Sequence, residues 1–501
     1  MPPDHDFDSR MASYELLQKP SHCCYCCYRK SAGGEPTWLF ACTHCRCFGC
    51  VTCWLLLGML AAEIAVGFFA GREFVRRRYE LEQNITECQL APEQLKMGDY
   101  FCGPQSGGLL RTPENMTRSM WFPACTSTYL VEEMAEFNKQ HEYKLVRFQS
   151  RAGDAGQPSV TLDAWWLPVS HTSPRVVIVH GNNENFNDWS VQLPGYFLRS
   201  MGFSVLIPNL RDHGSSGVSS GGAPPDRGAA STWGWAYHLD VLGAWDFVVR
   251  DPKGELGGPM DMKKVGLQGH AMGGFSVATA TGIEHNVVGA WLDSPVFDPR
   301  HILRFHLERL LGVAAPLFLH ASWFFANKLA KADLAHATPA KAAEARVASL
   351  SSGSFDCSAG YANWEHGWSG GKKAWCCRTT GRGCAPDEKA AKSLIFACAA
   401  TTDRAVPASE AGLLVAELGG AGGEAFEVVE HHSSPAACGS SSHLALAVWK
   451  PDLYRQKLCQ FWSRALRRDR GECGLARLPH FATDVAAVFG WAERPTGSFF
   501  G

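Results

Sequence analysis

The chain has almost no excess charge of either sign: Lys and Arg total 47 against 49 Asp and Glu, a formal net charge of -2. Binding nucleic acid calls for concentrated basic charge, so no nucleic-acid partner is expected. Cysteine is missing where a chain-wide disulfide framework would need it. Of 20 cysteines none lies between Cys125 and Cys357, whereas nine crowd between Cys23 and Cys53. That cluster is a local feature of the N-terminal segment. A third absence is a single hydroxyl. In residues 265–274 (VGLQGHAMGG) a short apolar run enters a glycine-rich turn, and position 271, between Gly269 and Gly273, is alanine.

Apolar material is plentiful, with 46% hydrophobic and 11% aromatic residues, and 501 residues suit one large α/β unit with extensions. Residues 48–70 (FGCVTCWLLLGMLAAEIAVGFFA) carry one charge, Glu63, and are long enough to cross a bilayer as a helix. They begin too far from Met1 for a cleaved signal peptide, so a single-pass signal-anchor is expected. Arg29, Lys30 and Arg46 before the span nearly balance Arg72, Arg76, Arg77 and Arg78 after it, which leaves orientation open by charge. The sequons at Asn84 and Asn115 lean toward a lumenal or extracellular C-terminal domain.

The expected organisation is a cysteine-rich head (1–47), the transmembrane helix (48–70), a connector (71–142), an α/β domain (143–469) with a cap and insertion (297–391), and a tail (470–501). From Tyr143 strand and helix patterns alternate: a hairpin at 145–148 and 160–167, strands at 175–180 and 203–208, a short strand running into a turn and a helix within 265–274, and strands at 287–292, 393–399 and 426–429. Helices are expected at 236–249 and 444–466. The apolar run 310–326 reads as a cap helix packing on the core, with membrane contact as the lesser alternative. Residues 351–384, rich in Gly, Ser and Cys, read as an irregular insertion.

With serine at 271, Gly269 to Gly273 would spell G-x-S-x-G, the nucleophile elbow, whose glycines are needed because the turn leaves no room for side chains. Other motifs follow in a matching order. His180-Gly181 ends the third strand, Arg211-Asp212-His213-Gly214 the fourth, and Asp293-Ser294-Pro295 the sixth; Asp403 follows the seventh, and His443 precedes the closing helix. Over residues 143–466 the chain resembles the α/β-hydrolase superfamily, in its serine-aminopeptidase-like and esterase-like part. The resemblance implies a mostly parallel eight-stranded sheet with flanking helices and a cap. It also implies Asp403 as triad acid, His443 as triad base, the backbone N–H groups of Asn182 and Met272 as the oxyanion hole, and no cofactor in this domain.

A methyl group at 271 cannot attack a carbonyl, so the acyl-enzyme route is closed. The leading expectation is a membrane-anchored binding or regulatory pseudoenzyme that keeps a pocket for a small-molecule, acyl or peptide ligand. Two alternatives stay open. One is an active esterase, lipase or peptidase-like hydrolase using water or another hydroxyl (Ser215, Ser216 or Ser276); the other is His443–Asp403 general-base chemistry without a nucleophile. In the head, Cys23, Cys26, Cys42 and Cys45 have the spacing of a four-thiolate zinc site, while Cys47, Cys50 and Cys53 abut the span as acylation candidates. A merely cysteine-rich tail is the third reading.

Overall fold

The computed structural model describes residues 48–76, 130, 133, 144–182, 184–186, 188–213, 216–217, 230–351, 356–363, 376, 393–401, 403, 405–420, 424–431, 444 and 446–466. The chain divides into two compact units, residues 1–66 and 67–501. The described part of the first unit is the beginning of helix α1 (Phe48–Val75), which covers the expected span 48–70 and continues to Val75. Trp54, Leu55, Leu56, Leu57, Met59 and Leu60 are all exposed on it. The 24 residues Thr52–Val75 are long and apolar enough to cross a membrane. At 1.5 Å per residue they reach about 36 Å, against about 30 Å of hydrocarbon.

The second unit is built on one eight-stranded sheet in the order β1-β2-β4-β3-β5-β6-β7-β8. Strands β1 (Lys144–Gln149) and β2 (Thr161–Leu167) form the antiparallel edge. From β4 (Ser204–Pro208) onward every pairing is parallel, through β3 (Arg175–Val179), β5 (Val265–His270), β6 (Gly289–Asp293), β7 (Leu394–Ala400) and β8 (Glu424–His431). Strands β3 through β7 are buried at every position, as expected of strands covered on both faces, and hence read as mainly apolar runs without polar alternation.

Helices α2 (Trp189–Ser200), α3 (Tyr237–Arg250) and α4 (Met272–Ile283) follow β3, β4 and β5 respectively. On one face Val241, Trp245 and Val248 of α3 and Phe275 and Val277 of α4 join Val177, Val179 and Leu267 in one core. On the other face Leu193 and Phe197 of α2 meet Trp291, Phe396, Tyr454 and Trp462. Gly266 is needed on this face, because a Cβ there would lie 2.0 Å from the Trp462 ring.

The region from 297 to 351 is helical, as expected of a cap: α5 (Pro299–Leu311), α6 (Ala315–Ala330) and α7 (Pro339–Ser351). The single helix read at 310–326 is in fact broken at Gly312, whose φ of 56° ends α5. Helix α8 (Ser409–Gly420) covers β7 and β8. The closing helix is likewise two pieces, α9 (Leu446–Trp449) and α10 (Pro451–Ala465), with Pro451 starting the second. Within the insertion read as irregular, a disulfide joins Cys357 to Cys376.

Candidate functional site

The sheet order reverses at β3: its chain continues into β4 on one side, while β5 lies on the other. At such a switch point the connections leave in opposite directions and open a crevice at the carboxyl ends of the strands. Val179 pairs with Gly269, so the turn after β3 and the turn after β5 lie side by side there.

Ala271 occupies the second turn with φ 49° and ψ -115°, between the end of β5 and the start of α4. Such a conformation costs a residue with a Cβ on the order of 1–3 kcal/mol. It is held from both sides: the Ala271 N–H donates to the Asp293 carbonyl at 2.9 Å, and its own carbonyl accepts from Phe275 at 3.2 Å and Val296 at 3.3 Å. A Cβ on Gly269 would meet the Gly273 carbonyl oxygen at 2.4 Å, and one on Gly273 would meet the carbonyl oxygens of Val179 and His180 at 2.3 and 2.4 Å. Both glycines are therefore sterically required, with backbone as the obstacle. The Met272 N–H, first in α4, meets no acceptor among the described residues. The fold is that of an α/β-hydrolase.

Across the crevice of this hydrolase fold, the turn after β3 is fixed by a neutral histidine. His180 Nδ1 bonds the Gly181 carbonyl at 2.8 Å and its Nε2 accepts from the Leu210 N–H at 3.0 Å. This pattern needs one proton on the ring, and complete burial lowers the His180 pKa to about 4. A Cβ built on Gly181 would sit 2.9 Å from Glu184 Oε2 and 3.3 Å from the Ala271 Cβ, so Glu184 and Ala271 flank one point. Glu184 Oε2 accepts from the Gly181 N–H at 2.7 Å and from Ser190 Oγ at 3.0 Å. Burial first, and the Glu184 charge second, raise the pKa of neighbouring Asp188.

Asn182, expected to donate an oxyanion-hole amide, is half-buried, and its Oδ1 accepts from Ser231 Oγ at 2.7 Å. The Ser231 N–H donates to the carbonyl of Val75, the last residue of α1, at 2.9 Å. Beside it, Thr232 reaches Asp212 on the loop after β4. That loop is held by a fully buried ion pair, in which Arg211 Nε donates to Asp240 Oδ1 and the Arg211 N–H to Oδ2, both at 2.8 Å.

Asp403 lies at the end of β7, two strands from the elbow. Its Oδ1 accepts from the N–H groups of Ala405 at 2.7 Å and Val406 at 3.0 Å, so it caps this turn and not α8, which starts at Ser409. Burial lowers the pKa of His306 of α5, and the nearby Asp403 charge works against that shift. His443, and Cys23, Cys26, Cys42 and Cys45 of the head, lie outside the described residues. Among the described residues no cluster of His, Cys, Asp or Glu could hold a metal ion.

Two of the alternative serines are bonded to the backbone of the scaffold. Ser276 Oγ donates to the Met272 carbonyl within α4, and Ser216 Oγ donates to the Asn209 carbonyl; Ser215 lies outside the described residues. His270 packs against β6, its Nδ1 3.9 Å from Asp293 Oδ2. A surface cleft of about 610 Å³ exists elsewhere, lined by Arg147, Phe148, Asp246 and Arg250, none of them from the elbow or the turn after β3. Glu184, Ser231 and His306 are the neighbours of the site that sequence reasoning missed. Glu184 could have been noticed four residues after His180, but nothing in the sequence marks the other two.

No protein-family model matches the chain, and no curated protein matches it. Among solved structures it is similar to an esterase from Pyrococcus furiosus, with 15% identity and a TM-score of 0.40 over 67% of this chain and 95% of that one. It is also similar to the acylaminoacyl peptidase of Pyrococcus horikoshii, with 13% identity and a TM-score of 0.38 over 68% and 45% of the two chains. A puromycin-hydrolyzing peptidase of Mycobacterium tuberculosis gives 14% identity and a TM-score of 0.40 over 66% and 40%. The strand order and the glycine-framed elbow define the fold.

Proposed function

We propose that this hydrolase-fold protein is a membrane-anchored pseudoenzyme that binds a ligand at the crevice between β3 and β5 and lacks serine-nucleophile catalysis. The observation that carries this reading is Ala271 itself, held at φ 49° with both flanking glycines sterically required, yet presenting only a methyl group. Acyl transfer needs an oxygen at that point. Without it, what remains is the catalysis that an oxyanion hole and binding provide, on the order of a thousandth or less of the intact triad's contribution.

Glu184 supports the same reading. An oxyanion hole works by concentrating N–H dipoles where negative charge develops. A carboxylate that accepts from the Gly181 N–H and flanks the same point as Ala271 opposes such charge. It favours instead a neutral or cationic group on a bound ligand.

Helix α1 is the anchor in this proposal, by its length and its exposed apolar side chains. The Cys357–Cys376 disulfide favours an oxidising compartment for the hydrolase domain, in agreement with the two sequons. A serine-directed fluorophosphonate probe on the purified full chain tests the reading. No labelling is expected from the wild type, and stoichiometric labelling that competes with an ester substrate would overturn it.

A further inference from the structure

The cap of the second unit has an apolar side that no other described residue covers. Leu310 is 79% exposed, Val313 101%, Leu317 60% and Phe324 55%. Val313, Leu317 and Phe324 follow one another at spacings of four and seven residues, so they share one side of the α6 region. The opposite side of α6 is closely packed. Gly67 of α1 approaches it so tightly that a Cβ would lie 2.5 Å from the Ala321 Cβ, and a Cβ on Gly71 would lie 2.5 Å from the Ser322 carbonyl oxygen. Phe68 packs edge-on to Phe325 with ring centres 5.6 Å apart. The same stretch of α1 leaves Phe69 61% exposed, which extends the apolar surface.

We infer that this side of the cap is a second membrane contact, in which the α5–α6 hairpin lies in the lipid surface beside the anchor helix. The inference rests on the anchoring reading above and adds to it. Three observations select a bilayer over a protein partner. First, the surface is continuous, through the close packing at Gly67 and Gly71, with the end of α1 that belongs to the second unit, and α1 is of membrane length. Second, residues 299–331 carry Arg300, Arg304, Arg309, Lys328 and Lys331 but only one acidic residue, Glu308, which suits anionic headgroups. Arg309 and Lys328 lie over the rings of Phe305 and Phe324, their charges at the edge of the apolar surface.

Third, length decides between lying in the membrane and crossing it. Residues 299–330 together are long and apolar enough to cross a membrane, but the turn at Gly312 folds them back into a hairpin, and α6 alone, with 16 residues or about 24 Å, falls short of the roughly 30 Å of hydrocarbon. Its inner residues Ala315, Ser322 and Ala326 are buried in the domain, so it cannot slide free to span. His320, on the outer side near Arg300 at 3.3 Å, belongs at headgroup depth.

The test introduces a benzophenone side chain singly at Val313, Leu317 and Phe324 of the full chain, with Leu57 as the anchor position and exposed Met262 as the reference. Each protein is reconstituted into phosphatidylcholine–phosphatidylserine vesicles, illuminated, and weighed for lipid adducts. The expected result is adducts at Val313, Leu317, Phe324 and Leu57 and none at Met262. Adducts at Leu57 alone would overturn the inference and leave the anchor standing. Adducts at the three cap positions without Leu57 would uphold it and remove the anchor reading. No adducts at any position would overturn both, and adducts at Met262 equal to those of the cap would also overturn it, since contact would not be confined to this surface.

Discussion

Replacing Gly273 by alanine should unfold the elbow, although the change adds a single methyl group. The new Cβ would lie 2.3 Å from the Val179 carbonyl oxygen and 2.4 Å from that of His180. Both obstacles are backbone at the end of β3, held by the β3–β5 ladder and by the His180–Leu210 bond, so neither can rotate aside. Overpacking in a core costs about 1–3 kcal/mol. With two rigid contacts the upper end applies, and the helical preference of alanine over glycine offsets about 0.5–1 kcal/mol of it. The net expectation is a loss of about 2 kcal/mol, a fall on the order of 5 °C in the apparent melting temperature of the detergent-purified chain at a fixed scan rate. Gly412→Ala is the control: it lies in α8 with nothing within 4 Å of its added Cβ, and should melt at or slightly above the wild type. If Gly273→Ala melted with Gly412→Ala, the claim that the turn is sterically fixed would be wrong.

His180 should make the domain acid-sensitive. Its folded pKa is lowered to about 4 from the ordinary 6.5 by burial, so the unfolded chain takes the proton first. The stability is full above pH 6.5 and is lost as pH falls toward 4, by on the order of 3 kcal/mol. Asp188, with its raised pKa, works in the opposite sense, so the measurement is the difference in pH dependence of chemical unfolding between wild type and His180→Gln; equal slopes over this window would refute the assignment. For the buried ion pair, Arg211→Ala alone should cost about 3–5 kcal/mol, because Asp240 stays buried without its partner, whereas Arg211→Met with Asp240→Leu should cost much less. A double change as damaging as the single one, read by urea melts, would contradict this. Cys357 and Cys376 should resist maleimide labelling in fresh membranes until reduced, and Cys376→Ser should lower stability by about 3 kcal/mol; free thiols at both positions would remove the argument for an oxidising compartment.

Much of the scaffold could be read in the sequence because buried parallel strands leave mainly apolar runs without polar alternation. The run at 175–180 became β3 within a residue, and the stretch 265–274 read as strand, turn and helix start became β5, the elbow and the start of α4. The elbow was legible because its glycines are dictated by backbone contacts within a few residues of chain. Boundaries failed where the signal was a single residue: Gly312 splits the cap helix and Pro451 the closing helix, each inside a run whose apolar spacing continues across the break. Asp403 was placed correctly after β7, but its carboxylate caps the Ala405–Val406 turn, a local bond that residue spacing cannot distinguish from a helix cap. The rest depended on long-range contacts. Ser231 joins Val75 to Asn182 across more than a hundred residues of chain, and Glu184 and Ala271 flank Gly181 together only because β3 and β5 are neighbours.

The account turns on Ala271, and a pre-steady-state assay with a p-nitrophenyl ester addresses it most directly. The wild type is predicted to release no burst of nitrophenol, since a methyl group forms no acyl-enzyme. Ala271→Ser, placing a hydroxyl at φ 49° in an elbow whose glycines are intact, is predicted to give a burst that grows when Glu184 is also changed to Gln, because that carboxylate opposes charge on the oxyanion. A stoichiometric burst from the wild-type chain would contradict the account.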